Sequence, residues 1–211
     1  MGAAERVFSR LGYHPTKISD IVAEAGVGQG TFYRHFSSKR SMFLALFDRF
    51  CERLFAEFGP MSRDLPTDVD SYRAGSVEAL SRMAALIETK PQATLLFLRE
   101  GPSIDEEVAQ RLEALYERFA RLAQFYLDHA IEQGFARPCD SAVVSQALVG
   151  IGLRFLQRWS SGRVERPVSE MVAELVELAF TGFAKTEWRE SSGRGPRPSG
   201  PPDHPTNQPT N

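Results

Sequence analysis

Residues 29–39 read Gln-Gly-Thr-Phe-Tyr-Arg-His-Phe-Ser-Ser-Lys. Phe32 and Phe36 stand one helical turn apart, so a short helix here buries both rings on one side and turns Gln29, Thr31, Tyr33, Arg34 and His35 to the other. That second face is made of hydrogen-bonding groups and one permanent cation. A glutamine can read an adenine edge in the major groove, and a threonine can touch a thymine methyl or a phosphate. Tyrosine, histidine and lysine suit phosphate oxygens. Lys39 falls in the first turn of the following helix, at the positive end of its dipole, where a phosphate explains a cation better than helix stability does. Two glycines in the turn before the short helix remove side chains where a backbone would approach DNA, and Gly30 joins the candidate contacts. The chemistry implied is recognition of duplex nucleic acid.

Such a face needs elements to hold it. Ala4, Val7, Phe8 and Leu11 follow helical spacing, predicting a first helix that ends at Gly12. Thr16 is placed to cap a second helix with Ile18, Ile21, Val22 and Ala25 inward. Gly26-Val27-Gly28 breaks it before the short third helix, over 29–36. Two short helices joined by a tight glycine turn make a helix-turn-helix. The same glycines echo a nucleotide-binding loop, but such a loop needs a preceding strand and here a helix precedes it.

Residues 4–47 resemble the TetR family of helix-turn-helix transcriptional regulators. The hallmark positions match at Gly12-Tyr13, Thr16, Ile21, Ala25-Gly26-Val27, Gly30-Thr31-Phe32-Tyr33, Phe36 and Ser38-Lys39. The resemblance implies that Gln29 and Thr31 face bases, and that Thr16, Lys17, Tyr33, His35 and Lys39 hold the phosphate backbone. Gly28 stands where the family commonly has serine, so the recognition helix is expected to begin without a side-chain cap. The chain also begins inside the first helix, from which either a misplaced start or a missing basic arm is expected.

Beyond the head the apolar period stays helical and no strand alternation appears, so the fold class expected is all-α. A helix-turn-helix head (1–47) precedes a larger helical body (48–188) and a disordered tail (189–211), about nine helices in all. A long fourth helix stops at Gly59-Pro60, and further helices are expected over 71–89, 92–100, 103–133, 141–160 and 167–186. The tail is rich in Pro, Gly and Ser and has no aliphatic residue to bury. The last two body helices are apolar on more than one side, which predicts a second copy of the chain packed on them as a two-fold four-helix bundle. Leu148, Phe155, Met171, Leu175 and Leu178 are the candidate interface residues. A homodimer would set two recognition helices about 34 Å apart on a palindromic site. The family likeness places an effector site among the body helices, with Phe97, Tyr116, Phe119 and Phe155 as apolar candidates. Arg99, His129 and Arg154 are polar ones, because each is a basic group in an apolar stretch and requires a partner.

Composition agrees with a regulator that touches phosphate at one end. The net charge is −2, yet residues 1–40 carry six Lys/Arg against three Asp/Glu. Cys51 and Cys139 fit no metal or redox spacing and are expected to be buried free thiols. No apolar run approaches the roughly 20 residues of a bilayer span, and no signal peptide is visible, so a cytoplasmic protein is expected. No Gly-x-Ser-x-Gly, His-Glu-x-x-His or zinc-spaced cysteine pair occurs, so neither enzyme activity nor a metal or other cofactor is expected. The functional expectation is a ligand-responsive repressor; the alternative from another class is a helical adaptor that binds only proteins.

Overall fold

A computed structural model describes residues 1–59, 65–89, 91, 94 and 96–183, with the side chains of Arg99 and Phe183 left out. The expected disordered tail lies outside the described residues. Among those residues there are nine α-helices, one π-helical turn and no strand.

The head is built from α1 (Gly2–Leu11), α2 (Ile18–Ala25) and α3 (Gln29–His35). Helix α1 buries Ala4, Val7 and Phe8 and ends at Gly12, whose φ of 83° lies where an L side chain is strained. The predicted cap of α2 is corrected. Thr16 is not the capping residue but is sealed inside, 1% exposed, with its hydroxyl donating to the Gly12 carbonyl at 2.6 Å. Lys17 occupies the cap position, and the Asp20 carboxylate accepts from its backbone N–H at 2.8 Å. Gly26 then closes α2 in the left-handed conformation, with φ 65° and ψ 33°. As the family likeness implied, α3 starts at Gly28 without a side-chain cap.

Helix α4 (Lys39–Ala56) leads from head to body, opened by Ser38, whose hydroxyl accepts from the Ser41 backbone N–H at 3.1 Å. The body contains α5 (Val69–Thr89), a π-helical turn (Leu96–Glu100), α6 (Gly101–Ile104), α7 (Glu106–Glu132), α8 (Ser141–Ser160) and α9 (Val168–Phe183). Residues 101–102 fall between the helices expected over 92–100 and 103–133, yet a separate short helix, α6, starts there. Pro102 sits in the first turn, where its missing N–H costs nothing. The long helix accordingly begins at Glu106 rather than near Ser103, because Asp105 caps it by accepting from the Val108 N–H at 2.9 Å.

Helix α7 packs along α8, and α5 along α9. The head core (Phe8, Tyr13, Ile21, Phe32, Phe43) is continuous with Leu96, Phe97, Val108 and Leu112 of the body. A second core gathers Leu54, Tyr72, Ile87, Tyr126, Leu127, Met171, Val172 and Phe180. The head is therefore seated on the π turn and the start of α7 by apolar packing.

Candidate DNA-binding face and body cavity

Helix α3 has seven residues, too few to hold together alone in water. It is held by Phe32, 4% exposed, which packs in the head core and lies 5.8 Å from the Phe36 ring. The opposite face is open: Gln29, Gly30, Arg34 and His35 are exposed, Tyr33 is 55% exposed, and Thr31 is half-buried. Lys17, at the start of α2, is also exposed.

Lys39 has a different place from the one its sequence position suggested. Its ammonium donates to three backbone carbonyls, of Tyr13 at 2.7 Å, His14 at 3.0 Å and Thr16 at 2.8 Å. It also lies 4.4 Å from the centre of the Tyr13 ring. Partial burial holds its pKa below the ordinary lysine value. All three donors are used inside the protein, so Lys39 shapes the α1–α2 loop rather than offering a free cation. Thr16 acts on the same loop from the other side, leaving Lys17 as the exposed basic group there.

Nothing in the local sequence pattern signals the contacts that tie the head to the body. Glu100, at the end of the π turn, accepts a hydrogen bond from the Tyr13 backbone N–H. Arg40 pairs with Asp105 and, at 2.6 Å, with Glu107, while Arg111 reaches Asp48 at 3.2 Å. The Arg40 guanidinium holds the Asp105 carboxyl down at about 2.

Below the head, α4, α5, α7, α8, α9 and the π turn enclose a cavity of about 310 Å³. Of the candidate effector residues, Phe97, Tyr116, Phe119 and Phe155 line it. His129 does not: its Nε2 lies 2.7 Å from the Pro66 carbonyl, where it fastens the loop before α5. Arg154 points out to solvent from α8. The Arg99 side chain lies outside the described residues. Of the candidate interface residues, Leu178 is 57% exposed and Phe155 is exposed, but Met171 is buried in the body core, and Leu148 and Leu175 are half-buried and line the cavity. A helix pair that wraps a cavity needs apolar residues inward as well as outward. The wide apolar arc of α8 and α9 therefore divides between residues facing the cavity and core and residues left exposed, which periodicity alone cannot separate.

Cys51 and Cys139 are free and half-buried, and burial pushes the Cys51 thiol up to about 12, leaving it unreactive at neutral pH. Among the described residues no helix is long and apolar enough to cross a membrane, and no group of three His, Cys, Asp or Glu could hold a metal ion.

Residues 1–46 match the family model for bacterial regulatory proteins of the tetR family. The chain is 27% identical over 186 residues, 86% of its length and 89% of the relative's, to the uncharacterized HTH-type transcriptional regulator YdgC of Bacillus subtilis. Among solved structures it resembles the transcriptional regulator FadR of Bacillus subtilis in complex with stearoyl-CoA, with a TM-score of 0.71 at 16% identity, covering 86% of this chain and 96% of that one. It also resembles a regulator from Saccharomonospora viridis in complex with choline, with a TM-score of 0.72 at 19% identity, covering 88% and 95%. Residues 1–46 thus match the tetR family of bacterial regulatory proteins, and the all-helical fold is shared with solved transcriptional regulators over most of the chain.

Proposed function

We propose that the chain is a ligand-responsive transcriptional repressor that binds a palindromic operator as a homodimer. The observation that carries this is the division of α3, with Phe32 sealed in the head core and Gln29, Thr31, Tyr33 and His35 on the open side. Gln29 and Thr31 read base edges. Lys17, Tyr33 and His35 hold phosphates, and Gly30 lets the backbone come close. Thr16 and Lys39 contribute by fixing the loop that presents Lys17. One head alone buries too few contacts for specific binding, which favours a pair related by a two-fold axis. The exposed apolar residues Val143, Ile151 and Leu178 on α8 and α9 offer the surface for that pairing.

The cavity is the effector site. Phe97 lines it and also packs on Phe43, Phe47 and Phe50 at 5.2–5.4 Å between ring centres, while Glu100 three residues later holds the head loop. A ligand that moves the π turn therefore shifts both α4 and the α1–α2 loop. A difference in affinity of about 1–3 kcal/mol between the two arrangements changes operator occupancy measurably.

Selection of bound sequences from random DNA tests the proposal. A two-fold symmetric consensus is expected, altered by Gln29→Ala. Lys17→Ala should weaken all sequences alike and lower the salt slope by about one. A chain that selects no sequence, yet retains partners through its helical surface, is an adaptor instead.

A further inference from the structure

Resting on the assignment of the cavity as the effector site, we propose that the effector is a neutral molecule, mostly hydrocarbon, whose buried part carries no ionised acid or amine. The walls support this directly. No lysine, arginine, histidine, aspartate or glutamate lines the cavity among the described residues; the lining is Leu, Ile, Val, Met and Phe, interrupted by a few hydroxyls. An ionised group moved into such a space loses its hydration and gains no counter-charge. Hydroxyls from Tyr72, Ser76, Thr94, Tyr116 and Tyr126 are the polar side-chain groups of the lining among the described residues, enough to orient one alcohol, ketone or ester oxygen. Burial raises the Tyr72 pKa and pushes that of Tyr116 up to about 12, so both phenols stay protonated and neutral at physiological pH.

Size narrows the class further. A volume of about 310 Å³ lies at the small end of the range of roughly 300–1,000 Å³ usual for small-molecule pockets. That suits a medium-length alkyl or compact terpenoid skeleton. Gly152 of α8 lines the same space, and a Cβ added there would meet nothing within 4 Å, so the wall has room for a larger side chain.

The proposal is tested on the full chain by calorimetry with straight-chain 1-alkanols of four to ten carbons, the matching alkanoates and the matching alkylammonium ions. Alkanol affinity should rise about fourfold for each added methylene, and the ionised partners of equal length should bind at least tenfold more weakly. Gly152→Phe, folded by circular dichroism, should lower decanol affinity at least tenfold; Ala179→Leu, on the facing α9 wall, gives the same reading should the first variant fail to fold. Equal or tighter binding of either ionised series, or affinity independent of chain length, overturns the neutral class. Decanol binding unchanged in both folded cavity variants overturns the location. A gel shift with the selected operator separates this from the regulator assignment. Alkanol binding without any change in operator affinity sinks the coupling and leaves the ligand class standing, while tight alkanoate binding that releases the operator does the reverse.

Discussion

The carboxylate of Glu100 accepts a hydrogen bond from the backbone N–H of Tyr13, joining the π turn of the body to the loop between α1 and α2 of the head. The approach is close enough that a Cβ on Gly12 would lie 3.0 Å from Glu100 Oε1. Gly12 is thus required twice, by its positive φ and by the carboxylate beside it. Glu100 closes the π turn three residues after Phe97, so one short segment carries both the contact to the head loop and a residue of the cavity wall.

Glu100→Ala should therefore weaken the joint without emptying the core. A charge-assisted hydrogen bond at a partly buried site contributes about 1–2 kcal/mol. Thermal unfolding should fall accordingly, and effector binding should persist while its influence on operator affinity shrinks. Gly12→Ala should destabilise at least as much, through strain at φ 83° and displacement of the same carboxylate. An effector response of undiminished size in Glu100→Ala would show that the signal passes through α4 alone.

Arg40 and Asp105 make a second joint, and its pH dependence has a definite sign. The folded Asp105 carboxyl is held at about 2, below its ordinary 3.8. Its stabilising contribution is complete above pH 3.8 and is lost as pH falls from there towards 2. Asp105→Asn keeps a helix-capping side chain for α7 but removes the charge. Denaturant titrations at pH 6, 4, 3 and 2 should show a smaller acid loss in Asp105→Asn than in the unmodified protein. Parallel curves would mean that the pair contributes nothing through its charge.

Lys39 and Tyr33 should separate architecture from contact. Lys39→Met leaves three loop carbonyls without their donor, a loss on the order of 2 kcal/mol. Melting temperature and DNA affinity should fall together. Tyr33→Phe removes one exposed hydroxyl from the outer face of α3, so melting should stay put while DNA affinity drops by about 1 kcal/mol across all sequences. A Lys39→Met protein with unchanged stability and lowered DNA affinity would return Lys39 to direct phosphate contact.

These contrasts show how far local pattern reaches. The head was legible because Phe32 and Phe36 at one-turn spacing, with Gly12 and Gly26 at the breaks, leave a single way to fold three short helices. The long helices of the body were foreseeable from their apolar period, although caps such as Asp105 and the first-turn Pro102 moved the boundaries. Long-range polar pairs were not legible. The separation between Tyr13 and Glu100, or Lys39 and the loop carbonyls, is set by tertiary packing, and no local pattern encodes it. His129 and Arg154 show the same limit. A basic residue in an apolar stretch requires a partner or water, and the sequence does not say whether that is a ligand, a loop carbonyl or solvent.

The proposed pairing of two chains makes the last prediction. Val143 is 63% exposed on α8 and Leu178 57% exposed on α9, with Ile151 also exposed on α8. Large apolar residues left open along two adjacent helices favour burial against a matching surface, each contributing roughly 1.5–3 kcal/mol when fully covered. A two-fold contact presents each residue twice, so Leu178→Glu introduces two charges into one interface. Sedimentation of the unmodified chain at micromolar concentration should give a dimer, and Leu178→Glu should shift it to monomer with the helical content unchanged. Operator affinity should then collapse towards that of a single head, while 1-decanol still binds the separated chain, since Leu178 does not line the cavity. A monomer in the unmodified protein, or a dimer indifferent to both Leu178→Glu and Val143→Glu, would move the interface elsewhere and leave the spacing of the two recognition helices without its basis.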